Sequence, residues 1–214
     1  MGGWPFFLLL RMLFLNFLIG AIVNFIGYVP LGNVNLTVVQ LTVNRGAKAA
    51  MYFIVSFSVV EFFFTYTIMY FADWFAAQQR FLYWLDWILI FVFLILGFLS
   101  WFNHQKAREV NYSLKDSVRY GLILGVVNPM QIPFWMIGGT YLISNGWVET
   151  GNGALAVFSA GAAIGSFFCL LAFAEFSSYL NKRFAFSSKV INRSIAVVFF
   201  LLAGYHVIKL TVGS

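Results

Sequence analysis

The sequence predicts an all-α polytopic membrane protein with six transmembrane helices, arranged as two inverted three-helix repeats in which helices 1 and 4 are broken at proline. Three observations carry this. Of 214 residues, 62% are hydrophobic and 9% charged, where a soluble domain carries about 25% charged residues. The apolar residues gather into six segments, each long enough to span. The cations collect between those segments and favour every second interval. Disorder is excluded by 27 Phe, 10 Tyr and 7 Trp, and the length leaves no room for a separate soluble domain. The chain reads as one transmembrane domain over 1–214, with repeat one at about 1–103 and repeat two at about 113–214.

The first segment, about 12–43, is too long for one straight crossing: 32 residues of helix reach roughly 48 Å, against a hydrocarbon core of about 30 Å. It is tilted, broken or preceded by an interfacial piece. The stretch Gly27-Tyr28-Val29-Pro30-Leu31-Gly32-Asn33-Val34-Asn35 names the breaking point. Pro30 removes a backbone donor and Gly32 frees the dihedrals, so polar backbone groups at that depth need partners, which Asn33 and Asn35 are placed to supply. The first segment is also far longer than the apolar core of a signal peptide, so it is expected to be retained.

The second segment, about 49–72, carries Glu61 between Val59-Val60 and Phe62-Phe63-Phe64. An acid at that depth costs about 2.5–3.5 kcal/mol on insertion scales, so it is protonated, paired or turned to an aqueous cavity. It reads as the proton-coupling or cation-binding group; a permanently protonated acid bonded to a neighbouring helix is the plainer alternative. The third segment, about 82–102, holds the unbroken apolar run Phe91 to Leu99, which a membrane barrel strand would not show.

Ser113-x-x-Asp116 has the form of a capping box ahead of the fourth segment, about 119–144. That segment repeats the first one's interruption as Gly125-Val126-Val127-Asn128-Pro129-Met130-Gln131-Ile132-Pro133. Pro30 and Pro129 stand 99 residues apart, and each opens a block of three spans. Three is odd, so the blocks enter the membrane in opposite senses. Matched interrupted helices in inverted halves point to a transporter's midplane binding site. The fifth segment, about 153–176, contains Gly161-x-x-x-Gly165, and the fourth contains Gly121-x-x-x-Gly125; both read as close-packing surfaces. The sixth, about 193–212, contains His206, which has no second histidine or acid at ligand spacing along the chain. Asn16 and Asn24 in the first segment read first as amides that join helices.

Ten of the 13 Lys and Arg fall in the odd intervals: Arg45 and Lys48; Lys106, Arg108, Lys115 and Arg119; Lys182, Arg183, Lys189 and Arg193. The positive-inside rule then puts the odd loops in the cytoplasm and both termini outside. Trp4, Trp74, Trp84, Trp87 and Trp147 fall near the outer ends and Trp101 near an inner one, as interfacial anchors do. The net charge of +6 is therefore read as orientation, with no nucleic-acid partner expected. One cysteine, Cys169, excludes thiol-disulfide chemistry through a CxxC pair. No Walker A loop, G-x-S-x-G elbow, H-E-x-x-H or G-x-G-x-x-G is present, so neither an enzyme nor a cofactor is expected, and no metal site.

This pattern resembles the lysine exporter family of amino-acid efflux proteins, LysE/RhtB. The residues that carry the resemblance are Pro30-Leu31-Gly32-Asn33, the turn Asn44-Arg45-Gly46-Ala47-Lys48-Ala49, the intramembrane Glu61, the amphipathic lead from Ser113 to Gly121, and Asn128-Pro129. Leu31 and Gly32 stand where the family carries glycine and proline, Glu61 where aspartate is usual, and Ser56 and Ser58 where glycines are common. The resemblance implies secondary export of an amino acid or small amino-acid derivative across a bacterial inner membrane by proton antiport. One charge moved through 100 mV is worth about 2.3 kcal/mol, enough for roughly fiftyfold accumulation.

On this reading Pro30, Gly32, Asn33, Asn35, Asn128, Pro129 and Gln131 bind a small polar metabolite and Glu61 exchanges the proton, within a lipid bilayer and with homo-oligomerisation left open. Two rivals stand beside it. An inorganic-cation exporter of a related fold would want several carboxylates or histidines in the membrane, where only Glu61 lies deep. A non-transport assembly protein would use its prolines and glycines for packing alone.

Overall fold

Helix α1 (Trp4–Tyr28) stops two residues before Pro30, and α2 (Asn33–Arg45) starts at the first asparagine after it. The computed structural model describes residues 4–29, 32–77, 79–102, 114–128, 131–151, 153–177, 193, 196–197, 199–208 and 210–211. Pro30, Leu31, Pro129 and Met130 lie outside the described residues, as do His104, Ser113 and the loop cations Lys106, Arg108, Lys182, Arg183 and Lys189. Gly46, at φ +84°, turns the chain sharply from α2 into α3 (Ala47–Ala76); that left-handed region favours glycine. The second interruption separates α5 (Leu114–Val127) from α6 (Gln131–Ser144). The remaining helices are α4 (Gln79–Phe102), α7 (Ala154–Glu175) and α8 (Phe199–Ile208), and no strand occurs among the described residues.

Among the described residues, three helices are long and apolar enough to cross a membrane: Phe7–Tyr28, Ala47–Ala76 and Ala154–Glu175. The two 14-residue helices α5 and α6 each reach only about 21 Å. Large apolar side chains are exposed on the long helices, among them Phe14, Phe63, Phe91, Leu99, Phe168 and Leu201. Such a surface would be an aggregation hazard in water and is the normal surface in lipid. Trp74, Trp84, Trp87 and Trp147 are exposed as well.

Helix α3 is central and packs against α2, α4, α5, α6 and α7, while α1 lies along α7. Glycines set the closest approaches. A Cβ on Gly161 or Gly165 would fall on the backbone carbonyls of Phe17 and Ala21, and one on Gly121 would meet Ser56 Oγ and the Phe53 carbonyl. With little hydrophobic drive between helices in lipid, such small-residue contacts hold the bundle by dispersion. Helix α4 instead meets α8, where Phe98 stacks edge-on with Phe200 at 5.3 Å between ring centres.

Among the described residues two larger apolar clusters flank the middle of α3, and a smaller one joins Leu89 of α4 to Ile137 of α6. Of the larger two, Val38, Leu41, Phe53, Phe57 and Leu170 form one; Met69, Trp135, Phe158 and Ala162 form the other. Glu61 stands on α3 between them.

Candidate functional site

Glu61 is fully buried and four groups donate to its carboxylate. Asn24 Nδ2 of α1 lies 2.9 Å from Oε1, and the Tyr28 hydroxyl of α1 lies 3.0 Å from Oε2. Thr65 Oγ1, one turn along α3, is 3.4 Å from Oε1, and Gln131 Nε2 of α6 donates to Oε2. A carboxylate has about four acceptor positions, so these donors match its full capacity in the ionised form. Glu61 forms no ion pair among the described residues. The Trp135 indole N–H lies close enough to act on the same carboxylate but makes no hydrogen bond of good geometry.

Tyr28 joins the two interruptions. Its backbone carbonyl, left free where α1 ends, accepts from Asn35 Nδ2 in the first turn of α2. Its hydroxyl donates to Glu61 and accepts from Asn128 Nδ2 at 3.3 Å, at the end of α5. Its ring sits edge-on to Phe57, 5.6 Å between centres, which fixes where the hydroxyl points. Gly27, one residue earlier, leaves room for the Phe134 ring of α6; a Cβ there would come within 2.9 Å of it.

The sequence-selected residues therefore divide. Asn35 and Gln131 are buried, Asn128 is half-buried, and all three reach Glu61 directly or through Tyr28. Gly32 and Asn33 are exposed, and the Asn33 carbonyl accepts only a local bond from Thr37. Pro30 and Pro129 fall in the undescribed intervals.

Sequence reasoning gave no site role to Tyr28, Thr65 or Trp135. Asn24, a helix-joining amide by its place in the sequence, joins α1 to the Ala162 carbonyl of α7 at 2.7 Å and binds Glu61 with the same nitrogen. Asn16 ties α1 to the segment before α7, through Glu149 and the Ala154 carbonyl. His206 does have an acidic partner: its Nδ1 lies 2.7 Å from Asp86 Oδ1 of α4. The two are 120 residues apart, beyond any spacing rule. Among the described residues, no three His, Cys, Asp or Glu side chains gather in one place.

No curated protein and no solved structure matches the chain. The family model for LysE type translocators matches residues 25–210, a range that includes both interruptions and every ligand of Glu61 save Asn24. The chain belongs to the LysE type translocator family, whose members are membrane transporters.

Proposed function

We propose that the protein exports an amino acid or small amino-acid derivative across the bacterial cytoplasmic membrane in exchange for protons. The observation that carries the reading is the buried Glu61, held by residues from the ends of helices at both interruptions. An intramembrane acid with polar partners and no counter-ion is the group expected to take up and release a proton. The carboxylate alternates between ionised and neutral forms as the halves rock. The substrate is held beside it by Asn33, Asn35, Asn128 and Gln131, and by backbone groups freed around Pro30, Gly32 and Pro129.

The six-span inverted repeat belongs to the same proposal. In it, α1 with α2 is the first span, α3 the second, α4 the third, α5 with α6 the fourth, α7 the fifth and α8 the sixth. The packing supports this, because it is reciprocal. Helix α1 of the first span lies along α7, the second span of repeat two, while α5 and α6 of the fourth span lie on α3, the second span of repeat one; α2 packs chiefly on α3. A two-fold relation between halves produces that exchange.

A divalent cation is the poorer fit. At Glu61 it would meet four N–H and O–H donors, where such an ion needs several oxygen acceptors.

The test is transport by purified protein in proteoliposomes, with labelled amino acids, amines and divalent metals offered under an imposed pH gradient. Gradient-dependent movement of one amino-acid class is expected. Movement of a metal alone would replace the proposal with the cation reading.

A further inference from the structure

Half of the Gln131 side-chain amide is unused. Its Nε2 donates to Glu61 Oε2, while its Oε1 is buried without a hydrogen-bond partner. A buried acceptor is rarely left empty, and one beside a titratable acid has an obvious use in the acid's other form. An ionised carboxylate only accepts; the protonated acid must place one O–H. The other three partners offer little to it: Asn24 presents its nitrogen, the Tyr28 oxygen already accepts from Asn128, and the Thr65 hydroxyl, which can accept, stands farther off at 3.4 Å. Half a turn about the last torsion of Gln131 exchanges its nitrogen and oxygen at nearly constant volume.

We propose that Gln131 is a positioning residue that follows the proton on Glu61: the amide donates to the carboxylate and turns over to accept from the acid. This rests on the proposed coupling role of Glu61. Gln131 is the first residue of α6, and its backbone N–H donates to the Asn128 carbonyl at 3.2 Å across the interruption. Asn128 in turn holds the Tyr28 hydroxyl. A proton arriving at Glu61 thus changes the bonding at the start of α6 and, through Asn128 and Tyr28, at the end of α1. The titratable groups near the site are Tyr28 on α1 and Cys169 of α7 beside it. Helix α6 carries no Asp, Glu, Lys, Arg, His or Cys, and the charges of α5 stand at its start, at Lys115, Asp116 and Arg119.

The experiment is difference infrared spectroscopy of the full chain in lipid vesicles across a pH series, with side-chain isotope-labelled glutamine. Gln131→Met identifies which of the five glutamines gives the responsive band. The expected result is a Gln131 amide band that changes in step with the appearance of the Glu61 acid carbonyl, both lost in Glu61→Gln. An acid carbonyl that titrates while the Gln131 band stands still overturns the inference and leaves the coupling role of Glu61 intact. Absence of any titrating acid, with gradient-driven transport retained in Glu61→Gln, overturns both. In transport, Gln131→Met should move the pH midpoint by about one unit. The move is toward higher pH, because the charge-assisted bond is the stronger of the two lost. A lowered plateau at an unmoved midpoint would mark a merely structural role and overturn the inference.

Discussion

The hydroxyl of Tyr28 donates to Glu61 Oε2 across 3.0 Å, from the last residue of α1 to the middle of α3. Tyr28→Phe keeps the ring against Phe57 and removes only the oxygen. A hydrogen bond to a charged group is worth about 1.5–3 kcal/mol, so transport efficiency should fall roughly tenfold or more. Uptake into vesicles reads this directly. Wild-type efficiency in Tyr28→Phe would mean the hydroxyl is a bystander.

Glu61→Gln should abolish gradient-driven transport and keep the fold, since its amide oxygen accepts from one side of the shell and its NH2 can donate to Gln131 Oε1, which is otherwise unused. Glu61→Ala should unfold more easily, because each buried donor left unpaired costs about 1–3 kcal/mol. Melting curves in detergent separate the two variants. Transport at the wild-type rate in Glu61→Gln would remove the coupling role.

Asn35 and Asn33 offer a direct contrast. Asn35→Ala frees the Tyr28 carbonyl and displaces the residue that carries the Glu61 contact, so a tenfold or greater loss of transport is expected. Asn33→Ala acts on an exposed side chain and should lose less. Equal losses would show that exposure at the first turn of α2 is no guide to substrate contact.

Gly165→Val should lower the melting temperature sharply, since even its Cβ would fall on the Ala21 carbonyl and overpacking costs typically 1–3 kcal/mol. Gly204→Ala is the control, because nothing lies within 4 Å of its added methyl. A tolerated Gly165→Val would mean that α1 and α7 separate readily.

Asp86 and His206 should show a coupling energy of roughly 1 kcal/mol in a double-mutant cycle on stability, as neighbouring polar pairs do. Additive losses from Asp86→Asn and His206→Gln would make the contact energetically empty.

Glu61 was legible in the sequence because a single acid in an apolar run is expensive and therefore conspicuous. The ends of α1 and α5, at Tyr28 and Val127, fall in the two stretches that proline and glycine mark in the sequence. The shell around Glu61 was not legible, since Asn24, Tyr28 and Gln131 reach it from 37, 33 and 70 residues away, and no periodicity encodes contacts between helices. Asn33 and Asn35 were treated alike, although residues two apart on a helix face about 200° apart. The buried set of α2, Val34, Asn35, Val38, Val39 and Leu41, already leaves Asn33 off the packed face. Tyr28 lies inside the first interruption, and nothing local in the sequence marks its hydroxyl as the group that reaches both Glu61 and Asn128.

The packing of α1 on α7 and of α3 on α5 and α6 has a consequence for biogenesis. During synthesis α1 and α3 leave the ribosome well before the helices they are built to lie against, because α5 and α6 follow α4, and α7 follows both. Gln131 emerges 70 residues after Glu61. Until then the acid has only the donors of α1 and α3, Asn24, Tyr28 and Thr65. A chain truncated before residue 131 would carry one buried carboxyl group without its full set of donors.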